Sequence, residues 1–195
     1  MVAIAKKKKK SSPLFLLIVF LGCVAIAAAT VVALALRPPD SNEAIAEHGA
    51  INLYELLAQV RTINLDDNFP DTPEAVMRLY NNTFRLLYGW DRSDTYTISQ
   101  ILRFQRGLYS QALYDLNPFQ QQLSNLLFAR GVEYDMGIEL VGLHQGPPVF
   151  NRFSPDRCTV YVIKFISNGQ SFHYSYQLFQ HPETGRWEIA MWDEL

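Results

Sequence analysis

The chain has 195 residues, 17 Lys and Arg against 19 Asp and Glu, and two cysteines, a length that suits one domain plus an appendage. Its charge is segregated: five of six lysines stand at positions 6–10, whereas residues 38–195 hold one lysine, ten arginines and nineteen acidic residues, a net charge of −8. That acidic balance excludes a nucleic-acid partner. Cys158 is the sole cysteine beyond residue 23, which excludes an intramolecular disulfide and a Cys-rich zinc site there.

Residues 14–36 carry no charge and are interrupted only by Gly22 and Thr30. As an α-helix they would cover roughly 34 Å, against a bilayer core of about 30 Å. With lysines on one flank, the pattern predicts a cytoplasmic basic tail over 1–13, a single-pass transmembrane helix over 14–36 and export of the remaining chain. Three alternatives compete. Ala27-Ala28-Ala29 and Ala33-Leu34-Ala35 resemble signal-peptide cleavage sites, Phe20-Leu21-Gly22-Cys23 is close to a lipobox, and Trp192-Asp193-Glu194-Leu195 is one residue from a retrieval signal. The length of the apolar run favours the uncleaved anchor. The expected localisation is therefore the cell membrane, with the C-terminal domain extracellular.

Residues 37–70 read as a juxtamembrane segment, with a stiff exit at Pro38-Pro39 and a short helix within 43–60. Three helices come next, in the domain over 71–195. Asp71 or Thr72 caps the first, with Pro73 in its first turn and Val76, Leu79, Thr83, Leu87 and Trp90 on one face. Thr97 and Gln100 form a capping box before Ile98, Ile101, Leu102, Leu108 and Leu113. Asn117 caps the third, Pro118 opens it and Gly131 stops it.

Beyond Gly131 the period becomes two. Tyr134, Met136, Ile138 and Leu140 predict a half-buried strand, and residues 144–157 a long loop. Two strands flank Asn168-Gly169, a strong hairpin signal. A two-residue turn there pairs Phe165 with Phe172, Ile163 with Tyr174 and Tyr161 with Tyr176, with Lys164 beside His173 on the other face. The aromatic face is the expected core. A second hairpin at Pro182-Glu183-Thr184-Gly185 sets Ile189 opposite Leu178, Met191 opposite Tyr176 and Asp193 opposite Tyr174. The fold class that results is α+β: an N-terminal transmembrane helix, then three helices packed on a curved four-stranded antiparallel sheet.

This order resembles the cone of nuclear-transport-factor-2-like domains. The segment Leu65-Asp66-Asp67-Asn68-Phe69-Pro70-Asp71-Thr72-Pro73-Glu74-Ala75-Val76, with Leu79-Tyr80, Leu113-Tyr114-Asp115 and Asn117-Pro118, resembles an uncharacterised family of single-pass membrane proteins of clostridial-type Gram-positive bacteria. That resemblance implies no catalytic residue. Enzymes with the cone fold place an acid or base on the concave sheet face, and Asp193 with Tyr174 is the one weak catalytic candidate that this implies.

Phosphate-binding glycine loops, HExxH and nucleophile elbows are missing from the sequence, and His48, His144, His173 and His181 are scattered, so no metal and no cofactor is expected. Lys164 with His173 reads as a solvated pair, and Cys158 as a quiet cysteine or, beside Arg157, a mildly activated thiol. Phe150, Arg152, Phe153 and Arg157 combine aromatic and guanidinium anchors in one loop and form the candidate partner-binding site. The functional expectation is a membrane-tethered extracytoplasmic binding or assembly module without catalytic activity, with an envelope protein as partner. The alternative is a small-molecule isomerase, hydratase or ligand carrier that uses the cone pocket.

Overall fold

The computed structural model describes residues 52–195, in which five helices precede five strands. Helix α1 (Leu53–Thr62) starts at Asn52, whose side chain accepts from the Tyr54 amide. Helix α2 (Pro73–Gly89) is capped by Thr72, which accepts from the Ala75 amide, with Pro73 at its start. Both devices satisfy amides that a helix leaves open at its N-terminus.

The next expected helix is two. Helix α3 (Thr95–Arg106) is capped by Asp94 rather than Thr97, and α4 (Gln111–Leu116) starts anew at Ser110. Between them the backbone leaves the helix to pair with the sheet: the Ser110 amide donates to the Ile189 carbonyl at 2.9 Å, and Ile189 donates to Leu108 at 2.9 Å. Helix α5 (Phe119–Asp135) begins after Pro118 and runs straight through Gly131. Its stop is Gly137, at φ 66°, where the Ile138 amide reaches back to the Glu133 carbonyl at 2.8 Å. This is a Schellman-type closure, and it places Tyr134 and Met136 at the helix end rather than in a strand.

The strands are β1 (Leu140–Gln145), β2 (Val149–Asn151), β3 (Ser154–Ile166), β4 (Ser171–Gln180) and β5 (Trp187–Glu194). They form one antiparallel sheet in the order β1-β3-β4-β5, with β2 also paired to β3. This corrects the expected architecture: three helices on a curved four-stranded cone become five helices on an open five-stranded sheet that is not curved into a cone. Helix α2 lies against β1, β3 and β5 and carries the core with α3. Val76, Met77, Leu86, Ile98 and Leu102 meet Val160, Val162, Tyr176, Leu178 and Ile189, all fully buried.

Register decides which side chains reach that core. Gly169 adopts φ 86°, no residue other than glycine has a positive φ among the described residues, and the Ile166 amide donates to the Gln170 carbonyl at 3.1 Å. The hairpin loop is thus three residues, Ser167 to Gly169, closed by a left-handed glycine. The two-residue turn would demand positive φ at Asn168 as well. One residue of slip inverts a strand's faces relative to its partner. Val160 pairs with Tyr176, Val162 with Tyr174 and Lys164 with Phe172, so Cys158, Val160, Val162 and Lys164 face the helices while Tyr161 is exposed. In β5, Ile189 does oppose Leu178, but a bulge at Ala190 then sets Trp192 opposite Tyr176 and Glu194 opposite Tyr174.

Among the described residues no helix is long and apolar enough to cross a membrane. The expected span at 14–36, the basic tail, Cys23 and His48 lie outside the described residues. The single-pass topology, the cell-membrane localisation, the extracellular placement and the membrane and envelope partners are accordingly withdrawn.

The observed face of β3 predicts an asymmetry between neighbours. Val162→Ala should destabilise the domain by on the order of 2 kcal/mol in urea unfolding. Tyr161→Ser should change it by less than about 1 kcal/mol. The reverse ranking would restore the two-residue turn.

Candidate functional site

The inward turn of β3 delivers the sole lysine beyond residue 10 to the helix-facing side of the sheet. Lys164 is half-buried at one end of the core, its Nζ 3.8 Å from the Phe84 ring centroid and 3.9 Å from that of Tyr174. Phe84 comes from α2 and stacks on Tyr88 one turn later, with centroids 4.4 Å apart and planes at 21°. Tyr174 comes from β4 and continues through Tyr176 to Tyr80 and Trp192. Phe84, Tyr88, Lys164 and Tyr174, with Glu133, Ile138 and Phe172, line an open cleft of about 260 Å³.

Burial pushes the Lys164 amine down from 10.5 to about 7, against the pull of Glu194 and Glu133 towards the charged form. The two ring faces also favour the ammonium, by about 0.5–2 kcal/mol. Burial remains the larger effect, because one pKa unit already corresponds to about 1.4 kcal/mol. The neighbouring acids respond to the same apolar surroundings. Burial raises the Glu133 carboxyl, which Arg130 and Lys164 partly restrain. It also raises the hydroxyls of Tyr88 and Tyr174 to about 12, the latter with help from Glu194. The Tyr174 hydroxyl donates to Glu194 Oε2 at 3.3 Å at the cleft's edge.

The carboxylate beside Tyr174 is therefore Glu194, and the expected partner Asp193 is exposed opposite Ser175. His173 faces away from Lys164, exposed opposite Ile163 with its Nε2 3.4 Å from Ser171 Oγ. Cys158 is buried, and burial followed by Glu74 raises its thiol to about 11, opposite to the activation expected beside Arg157. The loop over 144–157 is largely strand: Phe150 lies in β2, pairs with Cys158 and meets the Trp187 ring edge-on at 5.8 Å. Phe153 is 96% exposed at the β2–β3 turn with Arg152 exposed beside it, whereas Phe150 and Arg157 line one open cleft of about 510 Å³ with Val149 and Leu178. Among the described residues no group of His, Cys, Asp and Glu is arranged to hold a metal ion.

A protein-family model described as a domain of unknown function, DUF6715, matches residues 5–135. The chain belongs to the DUF6715 family. This replaces the resemblance to nuclear-transport-factor-2-like and clostridial single-pass proteins. The DUF6715 match ends at the last residue of α5, so it contains Phe84, Tyr88 and Glu133, and the sheet with Lys164 and Tyr174 lies beyond it. No curated protein and no solved structure matches the chain.

The expected register turned Lys164 outward, where it read as half of a solvated pair with His173. The signal was present all the same: a lone lysine in an otherwise β-branched and aromatic strand.

The lowered Lys164 pKa has a signed consequence for stability. The folded amine loses its charge near pH 7 and the unfolded one near 10.5, so unfolding takes up a proton between these values and stability rises with pH across that window. Lys164→Met should stabilise the domain at pH 6 by on the order of 2 kcal/mol, a gain that shrinks towards pH 10. Urea melts at the two pH values measure it. A pH-independent difference would contradict a buried, proton-shedding amine.

Proposed function

We propose that this domain binds a small, planar, mostly apolar organic molecule in the Lys164 cleft, with the lysine amine as the polar contact. The observation that carries the reading is Nζ held between the Phe84 and Tyr174 rings at the wall of an open cleft. Small-molecule sites commonly combine apolar and aromatic walls with a few placed polar groups. An apolar cavity of about 150 Å³ accommodates benzene, and the space here is larger, about 260 Å³. The site is not the concave cone pocket expected from the sequence, because the sheet forms no cone. It differs from it also in its polar group, an amine rather than the Asp193 carboxylate.

Near neutral pH the amine divides between donor-only ammonium and free base. It can therefore donate to a carbonyl or hydroxyl on the ligand, or accept from a hydroxyl, at little electrostatic cost. The apolar side chains along the cleft, Ile138, Leu140, Ile166 and Phe172, supply contact area whose shape selects flat molecules.

Amine labelling tests this directly. With trinitrobenzenesulfonate at pH 7.5, Lys164 should react, and benzyl alcohol at millimolar concentration should slow the reaction saturably, read by mass spectrometry of the Lys164 peptide. Labelling unaffected by benzyl alcohol at any concentration would refute the proposal.

A further inference from the structure

Among the described residues Lys164 Nζ takes part in no hydrogen bond and no ion pair, and its close neighbours are the ring faces of Phe84 and Tyr174. A surface lysine ordinarily keeps its ammonium head in water while its stem lies along apolar surface. Here the stem is fixed by its neighbours on β3, Val162 being fully buried and Phe165 nearly so. The amine itself stands half-buried at the wall of open space. A ring face attracts the ammonium but takes up no lone pair. The free base at this position therefore has its lone pair unengaged and a cleft in front of it.

We infer that Lys164 is a nucleophile, and that the molecule held in its cleft is an aromatic aldehyde, which the amine captures as an imine. The inference rests on the reading of the Lys164 cleft as a binding site and adds a covalent bond to it. The Nζ lone pair adds to the carbonyl carbon, the carbonyl π pair moves to oxygen, and a carbinolamine forms. Its C–O bond then breaks as the nitrogen lone pair makes C=N. The oxygen leaves as water, carrying in net terms both hydrogens of the amine, and nothing is oxidised or reduced.

The surroundings favour each part of this chemistry. Lysines become nucleophiles when an apolar pocket strips water from the amine. Burial outweighs Glu194 and Glu133, which favour the ammonium, and the amine falls to about 7. About half is then free base at pH 7, against roughly one part in three thousand for an ordinary lysine. The hydroxyls of Tyr88 and Tyr174, raised to about 12, add no charge at this pH. An aromatic aldehyde is flat, and its ring can replace water against Ile138, Leu140, Ile166 and Phe172. The unprotonated imine carries no charge, which suits walls that disfavour the ammonium.

The test treats the full chain at pH 7 with benzaldehyde and sodium cyanoborohydride, which reduces any imine to a stable benzylamine, and reads the peptides by mass spectrometry. Lys6 to Lys10 serve as comparison within the same molecule. Lys164 should be benzylated on the order of tenfold faster than any of these five, its gain in free base being partly offset by the weaker nucleophilicity of a less basic amine. Benzyl alcohol should slow the reaction at Lys164 and leave that at Lys6 to Lys10 unchanged. In denaturing guanidinium chloride the preference should vanish, because the fold creates it. If benzyl alcohol protects Lys164 from trinitrobenzenesulfonate but benzaldehyde labels it no faster than Lys6 to Lys10, or the preference survives denaturation, the imine is overturned and the cleft reading stands. If benzyl alcohol protects Lys164 from neither reagent, both are overturned.

Discussion

The arrangement of this domain depends on a three-residue turn. Ser167, Asn168 and Gly169 close the β3–β4 hairpin, and the left-handed glycine sets the pairing by which alternate residues of β3 face the helices. The turn is also anchored to the chain before β1. The Ser167 amide donates to the Glu139 carbonyl at 2.8 Å, and the Ser167 hydroxyl accepts from the Glu139 amide at 3.0 Å. These bonds link the hairpin tip to the segment just after α5, and so hold the end of β3 beside the helix that carries Arg130 and Glu133. Had the loop been two residues long, Val160 and Val162 would face solvent and Lys164 with them.

Polar groups in the interior fall into two kinds. Those in the centre of the core are hydrogen-bonded to one another: Gln105 donates to Thr83 Oγ1 at 3.0 Å, and Gln122 donates to the Tyr109 hydroxyl at 3.1 Å. Arg106 is likewise satisfied by the carbonyls of Asn117 and Tyr114 and by Gln122 Oε1. At the end of the domain where α2, α5 and the β3–β4 hairpin meet, the pattern changes. There a lysine is packed against rings and an arginine is left with an unsatisfied nitrogen. Asn81 Oδ1, on the side of α2 that meets Gln145, is also buried without a hydrogen-bond partner, so such atoms are not confined to this end. The physical basis for reading the cleft as a binding site is the lysine held against two rings at its wall.

Much of the α2 region was legible from sequence, because Thr72-Pro73 is a local signal whose meaning does not depend on the rest of the chain. The two hairpins and the pairing of Ile189 with Leu178 were legible for the same reason. What was not legible is what depends on tertiary context. Asn168-Gly169 is compatible with a two- or a three-residue loop. β3 gave no help in choosing, since Tyr161, Ile163 and Phe165 on one face are as apolar as Val160 and Val162 on the other. Gly131 looked like a helix stop, but the stop is Gly137, where backbone geometry rather than composition decides. The bulge at Ala190 exchanged Asp193 for Glu194 beside Tyr174 and left no trace in the pattern. The sequence paired Tyr174 with Asp193, and the carboxylate beside it in the structure is Glu194. Lys164 was noticed but placed on the wrong face.

The DUF6715 match covers the helical wall of the cleft and ends before the strands that complete it. Binding at this site therefore depends on whether the sheet turns Lys164 inward onto that wall. The most direct measurement is an NMR titration of the Lys164 side chain in protein labelled with carbon-13 lysine, its Cε resonance assigned by comparison with Lys164→Arg. An inward-facing amine should titrate near pH 7, far below the ordinary lysine value of 10.5. A Cε resonance that titrates at the ordinary lysine value would place the amine in solvent, and the reading of the cleft as a binding site would fall with it.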